Sequence, residues 1–299
     1  MRISVGICAC NDVGTIGGIL SSLLRDVLKG HELAEIIVVS SQCVDGTTDI
    51  VKQMQKDDSR VKLILEPVRT GKAEAVNKIL MTAEGEAIFL VAADVILPRS
   101  SVQILADCLS NEASVGIVCG HPIPMEHKKG FVEPLCSLLW RLHDRTLMYQ
   151  SEVNMNTHAT GELMAIKKEA VVHIPSAVVN DDAYLCISAL KRGFVTKYCS
   201  KAIVFVKTPD RVAKLLLQRR RIAYGHHQIR RIMKIHSRTL EGLLLEQPLK
   251  AFCILKKEVR NRPKDCLWLP ILASVEISAN ILAMFDNFLG RSYSIWQRV

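Results

Sequence analysis

An α/β fold, with a doubly wound, mostly parallel sheet and helices on both faces, is predicted by three features of this chain. Apolar, strand-like runs alternate with helical stretches through the first half. Several runs are apolar without a break, as in FLVAA at residues 89–93, the pattern of a strand buried on both faces. At 299 residues the chain can bury such a sheet in one large domain and still carry an appendage.

The elements follow in order. RISVGICAC is the first strand and VGTIGGILSSLLRDVLK a helix with apolar residues at helical spacing. AEIIVVSS is the second strand, and DGTTDIVKQMQKD opens a helix for which Asp45 is the expected cap. VKLILE, then the helix GKAEAVNKILMTA, then EAIFLVAAD complete four strands. SSVQILADCLSN reads as a helix, VGIVCGHPIP as a strand, and residues 131–152 as a long helix carrying Trp140, His143 and Tyr149. THATGELMAIKKEAV reads as a loop and short strand leading to a helix, DDAYLCISALKRGF as an amphipathic helix, and VTKYCSKAIVFVK as one or two strands. After Pro209 the pattern is helical and basic to about residue 236. Residues 1–225 are thus expected to form the main domain, and 226–299 a basic and apolar helical extension.

Composition narrows the function. The net charge is +9, yet residues 207–264 hold sixteen Lys and Arg against four Asp and Glu, which leaves the rest slightly acidic. Such a block suggests anionic partners: phosphates, nucleic acid or an acidic lipid surface. Aromatic residues make up 5%, few platforms for stacking bases, which argues against nucleic acid. The ten cysteines show no CxxC or Cys/His spacing, so no structural zinc site is expected. MRISVGICACN runs straight into a strand with no export segment, which implies a cytoplasmic protein with reduced thiols. Mean hydropathy is +0.19. The stretch CLWLPILASVEISANILAMFDNFLG is about long enough to span a bilayer, but Pro270, Glu276, Asn280 and Asp286 interrupt it. A helical hairpin or a segment lying on a membrane is expected there, with a buried core helix as the other reading.

The strand tips carry the chemistry. Strand 1 ends in Ala9-Cys10-Asn11-Asp12, strand 2 in Ser40-Ser41 and strand 4 at Asp94, while Arg69-Thr70-Gly71-Lys72 follows strand 3. In a doubly wound sheet these tips line one edge, where ligands bind. Their amide, carboxylate, hydroxyl and ammonium groups suit a nucleotide with its metal. Two common nucleotide motifs fail. Gly71-Lys72 is followed by Ala73 and position 66 is Glu66, so there is no P-loop. Gly14, Gly17 and Gly18 are wrongly spaced for a dinucleotide fingerprint, and strand 2 ends in serines rather than an acid.

Six fragments in order resemble a family 2 glycosyltransferase of the GT-A fold. They are CACND, EIIVVSSQCVDGTTDIV, RTGKAEAVN, AAD, DDAYL and QRRRIAYG, spread over about residues 3–225. The resemblance implies an inverting transfer of sugar from a nucleotide-sugar donor to an acceptor hydroxyl. It assigns Asp94 to Mg²⁺ or Mn²⁺ binding, Asp182 to the general base and Asp181 to positioning beside it. Cys10, Asn11, Asp12, Ser40, Gly71, Lys72, Asp94, Gln218 and Arg221 would bind the nucleotide sugar, and Thr160, Gly161 and Glu162 would border the acceptor. His226 and His227 could reach the metal, although a histidine pair is more often structural. Arg219 and Arg220 read as a solvated basic face. Ala92, Ser40 and Ile222 stand where the family often has Asp, Asp and Trp.

A lipid-linked or glycan acceptor, and an anionic membrane surface at the inner face of the cell membrane, fit the basic helices and apolar tail. Two other classes deserve comparison. A non-catalytic GT-A-like protein could use the basic face on a membrane, but would not need metal-dependent donor binding. A sugar-phosphate nucleotidyltransferase would want an arginine-bearing, Gly-rich loop after strand 1, and Asn11-Asp12-Val13-Gly14 lacks that arginine.

Overall fold

The computed structural model describes residues 1–125 and 130–295, so the last four residues of the expected C-terminal extension lie outside the described residues. Seven strands form one sheet: β1 (Arg2–Ala9), β2 (Glu32–Ser41), β3 (Val61–Glu66), β4 (Ala87–Ala92), β5 (Val115–Pro124), β6 (Leu163–Lys167) and β7 (Val195–Val206). Their order is β3-β2-β1-β4-β6-β5-β7. β1 lies parallel to β2 and β4, β2 to β3, and β5 to β7. Only β6 is reversed, antiparallel to both β4 and β5. The mostly parallel, two-sided sheet expected from the sequence is present.

Alternation along the strands supplies two cores. On β4, Ala87, Phe89 and Val91 join the core beneath α1 (Ile16–Arg25), α2 (Thr47–Asp57) and α4 (Ser101–Ser110). Ile88 and Leu90 join the opposite core, against α3 (Lys72–Thr82) and α6 (Asp181–Lys191). A strand with both faces covered must be apolar at every position, which explains the unbroken FLVAA run. Gly46 rather than Asp45 is the N-cap of α2; Asp45 lies one residue before it, its Oδ1 accepting from the Thr47 backbone N–H at 3.0 Å and from Thr47 Oγ1 at 2.6 Å.

A third core is purely helical. Leu135 and Leu138 of α5 (Glu133–Glu152), Leu215 of α7 (Val212–Met233) and Leu243 of α8 (Leu240–Glu246) meet there with Ile254 of α9 (Pro248–Asn261) and Leu272 of α10 (Leu269–Phe288). Two sequence expectations change: β6 leads into a single 3₁₀ turn at Lys168–Ala170 rather than a helix, and the apolar tail is one continuous helix rather than a hairpin. Of the one or two strands expected after α6, one is present, β7.

α10 is the one described helix long and apolar enough to cross a membrane, by length and composition only. Its acidic interruptions have partners on α7. Arg219 Nε lies 2.6 Å from Glu276 Oε1, and Arg220 donates two bonds of 2.5 Å to Asp286. Asp286 also accepts from Tyr293 Oη at 2.6 Å. Arg219 and Arg220 therefore do not form a solvated basic face; they tie α10 to α7 through carboxylates that are almost fully buried. The opposite side of α10 leaves Ile277, Ile281, Met284, Phe285 and Phe288 exposed.

Candidate active site

The strand order reverses between β1 and β4, and a cavity of about 790 Å³ opens at their carboxyl tips. Cys10 and Asp94 line it from those two tips.

α3 contributes Lys72 from its first turn. The preceding Gly71 has φ +104°, and a Cβ there would stand 2.6 Å from the Ser294 carbonyl oxygen, so backbone and packing both call for glycine. Lys72 Nζ lies 3.1 Å from Asp181 Oδ2. Desolvation in the cleft opposes the ammonium charge, but Asp181 and Asp182 outweigh it and hold the Lys72 pKa above its ordinary value.

Asp181 and Asp182 open α6, where the helix N-terminus favours negative charge. Both line the cavity. Burial, reinforced by the Asp181 charge, pushes the Asp182 carboxyl up to about 6 against the pull of Lys72 and Arg221. A carboxylate raised that far is a better proton acceptor than an exposed one, while still ionised at neutral pH.

The loop before β6 brings Thr160, Gly161 and Glu162 to the same wall. A Cβ on Gly161 would come 3.4 Å from Lys72 Nζ and 3.8 Å from Asp182 Oδ2, which fixes how close this loop sits to the charged pair. Thr160 Oγ1 donates to the Gly120 carbonyl at 2.9 Å and so anchors the loop. Burial, with the Asp182 and Asp94 charges, pushes the Glu162 carboxyl up to about 7. From α7, Gln218 and Arg221 face the cavity three residues apart, on one side of the helix. Burial lowers the Arg221 pKa, opposed by Asp181, Asp182 and Glu162, and a guanidinium stays charged through such a shift.

Three expected donor residues lie elsewhere. Asn11, Asp12 and Ser40 do not line the cavity. Asn11 Oδ1 accepts from Val44 N at 2.9 Å, and Asp12 Oδ2 accepts from Cys10 N at 2.8 Å. Ser40 Oγ pairs with Thr48 Oγ1 at 2.7 Å. These side chains brace the β1 tip against the β2–α2 turn, because a sharp turn leaves backbone donors that short polar side chains can satisfy. His227 also lies apart, in a surface recess with Arg230, Arg231, Lys234 and His236.

The cavity has members that sequence reasoning missed. Arg219, Trp140, His143 and His158 line it beside His226. Burial holds His143 at about 3 and His158 at about 4, so both are neutral. They come from α5, α7 and the loop before β6, and no spacing in the sequence joins such distant segments.

The residues fit a divalent cation in one way only. Among the described residues no group of three or more His, Cys, Asp or Glu could hold a metal ion. Asp94 nevertheless lies near enough to Glu162 for its charge to raise that carboxyl. A hard cation using one carboxylate, with phosphate oxygens and water completing its shell, suits that donor set.

Comparison with known proteins agrees with this geometry. The family model described as glycosyltransferase like family 2 matches residues 2–225. The poly-beta-1,6-N-acetyl-D-glucosamine synthase of Staphylococcus aureus (strain MSSA476) is 25% identical over 236 residues, covering 74% of this chain and 54% of that protein. The Staphylococcus epidermidis synthase of the same name is 22% identical, covering 98% of this chain and 69% of its own length. This chain therefore spans about half the length of the first of these relatives. Among solved structures, the mannosyltransferase PcManGT from Pyrobaculum calidifontis, in complex with GDP-Man and Mn²⁺, superposes with TM-score 0.67 at 19% identity, covering 95% of this chain and 87% of the other. Glucosyl-3-phosphoglycerate synthase from Mycobacterium tuberculosis gives TM-score 0.50 at 18% identity, covering 74% and 76%. Both share its fold. With the family model matched over most of its length, the chain belongs to glycosyltransferase family 2.

Proposed function

We propose that this protein transfers a glycosyl unit from a nucleoside diphosphate sugar to an acceptor hydroxyl, with inversion at the anomeric carbon. The observation that carries this reading is the convergence of Asp181, Asp182, Lys72, Gln218 and Arg221 on one cavity at the carboxyl tips of β1 and β4.

Asp182 accepts the acceptor's proton as that oxygen forms its bond to the anomeric carbon. The bond from that carbon to the diphosphate breaks on the opposite face, and its electron pair leaves with the nucleoside diphosphate. Arg221 offers a fixed positive charge to the departing diphosphate, and Gln218 adds a hydrogen-bonding amide. Lys72 pairs with Asp181, and burial raises the proton affinity of Asp182 beside it. Mg²⁺ or Mn²⁺ held by Asp94 would supply further positive charge to the diphosphate. Thr160, Gly161 and Glu162 border the acceptor side.

The finer features of the reading rest on other observations. The relatives named as polysaccharide synthases favour a glycan acceptor. The exposed apolar side of α10, together with Lys256, Lys257, Arg260, Arg262 and Lys264 nearby in the chain, favours work at an anionic membrane surface on its cytoplasmic side, with a lipid-linked acceptor. In this division residues 1–225 carry the donor chemistry and 226–299 the membrane contact, with α7 running across the boundary.

Incubation with a panel of nucleotide sugars, reading release of nucleoside diphosphate, tests the proposal. One donor should be consumed by the wild type, and Asp182→Asn should slow the release by about 10²-fold or more. Equal release by both proteins would overturn the assignment of the base.

A further inference from the structure

The cavity has two chemically different ends. The end at the strand tips carries Lys72, Asp94, Asp181, Asp182 and Arg221, everything that a sugar diphosphate needs. The other end is aliphatic, lined by Leu139 of α5, Leu244 of α8, Leu255 of α9, and Leu272, Ala273 and Ile277 of α10. A nucleotide sugar is polar along its whole length and gains nothing from such a wall, whereas each buried methylene of a hydrocarbon chain contributes about 0.8 kcal/mol.

The aliphatic end reaches the surface. Leu244 and Ile277 line the cavity and are also 42% and 61% exposed. The mouth therefore lies between α8 and α10. Leu245 of α8 and Leu249 and Phe252 of α9 are exposed as well, and α9 also carries Lys250, Lys256, Lys257 and Arg260. An apolar rim with basic neighbours matches the interfacial zone of an anionic bilayer.

A file of rings joins the two ends. Trp140 lies 5.5 Å from His143 between ring centroids, His143 5.5 Å from His158, and His158 6.1 Å from His226. Trp140 follows Leu139 at the aliphatic end, and His158 stands two residues before Thr160 at the acceptor loop. Burial keeps His143 and His158 neutral; Arg219, paired with Glu276, and Glu241 also line the cavity near them. The Nδ1 atoms of His158 and His226 are buried without a hydrogen-bond partner among the described residues.

We infer that the aliphatic half of the cavity binds the hydrocarbon chain of an amphiphilic acceptor. The hydroxyl-bearing head lies at Asp182, and the chain leaves between α8 and α10 toward the membrane. This assignment rests on the glycosyl-transfer reading and gives the hydrocarbon part of its acceptor a binding site.

The test compares dodecyl β-D-glucoside with methyl β-D-glucoside, both below micelle-forming concentration, by calorimetric titration of the full chain. Wild type should bind the dodecyl compound at least tenfold more tightly. Ala273→Trp fills the compartment from an exposed helix position, and Leu244→Asp puts a charge at its mouth; each should remove that preference. Binding of nucleoside diphosphates with Mn²⁺, measured on the same samples, should stay within twofold. Equal affinity for the two glucosides, or a preference that survives both substitutions, would overturn the inference while nucleotide binding stands. Absence of nucleotide binding in the wild type would instead overturn the underlying transfer reading, and the acceptor assignment with it.

Discussion

Lys72 Nζ lies 3.1 Å from Asp181 Oδ2, which places a cation from α3 beside the carboxylate pair that opens α6. Asp182 can remain ionised inside the cleft because the Lys72 and Arg221 charges are close. Lys72→Met removes one of them, and the Asp182 carboxyl, already at about 6, should rise further. The sign follows directly: the base must be deprotonated, so activity falls as pH drops through its pKa. In wild type the acid limb of kcat/KM is expected near pH 6, and in Lys72→Met the limb should move to higher pH. A pH–rate profile of both proteins checks this, and an unmoved limb would dissociate Lys72 from the base.

Asp182→Asn should trade activity for stability. The folded pKa lies above the value of an exposed aspartate, so ionising Asp182 costs the folded state free energy as pH rises from about 4 to 6. Removing that charge should stabilise the protein by about 1–3 kcal/mol above pH 6, and by progressively less toward pH 4. Chemical denaturation at pH 7.5 and pH 4.5 measures the difference. A mutant less stable than wild type at pH 7.5 would contradict the electrostatic account.

Gly225 keeps α7 close to the start of α6. A Cβ there would come 2.2 Å from Asn180 Oδ1, and Asn180 is buried with its Nδ2 donating to the Ile222 carbonyl at 3.0 Å. Gly225→Ala must therefore break that bond or shift α7, at a cost of about 1–3 kcal/mol. Because α7 also carries Gln218 and Arg221, nucleotide binding should weaken along with stability. Retained nucleotide affinity in a destabilised mutant would show that the helix position does not set the donor site.

Asp286, fully buried, holds the end of α10 by accepting from Arg220 and Tyr293. Asp286→Ala leaves the Arg220 guanidinium with no carboxylate at that point and should cost about 3–5 kcal/mol. The double mutant Asp286→Leu with Arg220→Met should recover much of the loss, since a matched apolar pair carries no desolvation penalty. Thermal unfolding of the three proteins decides it; a single mutant as stable as wild type would mean that the buried pair contributes nothing.

These pairs also show where the sequence can and cannot be read. The strands were legible because burial on two faces forces uninterrupted apolar runs, as at Phe89 to Val91. The reversal of β6 was not, since Leu163 to Lys167 presents the same alternation in either direction. Asp94, Asp181, Asp182 and Arg221 could be placed only through the resemblance to the family's motifs, since Asp94 follows β4 while the others lie on α6 and α7. Asn11, Asp12 and Ser40 sat at the correct tips too, yet Asn11 and Asp12 accept from backbone N–H groups of the turns and Ser40 pairs with Thr48, a choice made by turn geometry. Glu276 and Asp286 were visible as breaks in an apolar run, but their partners, Arg219 and Arg220, belong to another helix and meet them only through folding.

The most direct measurement is the thermal shift produced by a panel of nucleoside diphosphates, with and without Mn²⁺, in wild type and Asp94→Ala. A ligand at a hundred times its Kd stabilises by about 2.7 kcal/mol, which a melting curve resolves readily. The account predicts a shift with one nucleotide that requires Mn²⁺ and is lost in Asp94→Ala. No shift with any nucleotide, or one that ignores both the metal and Asp94, would contradict it.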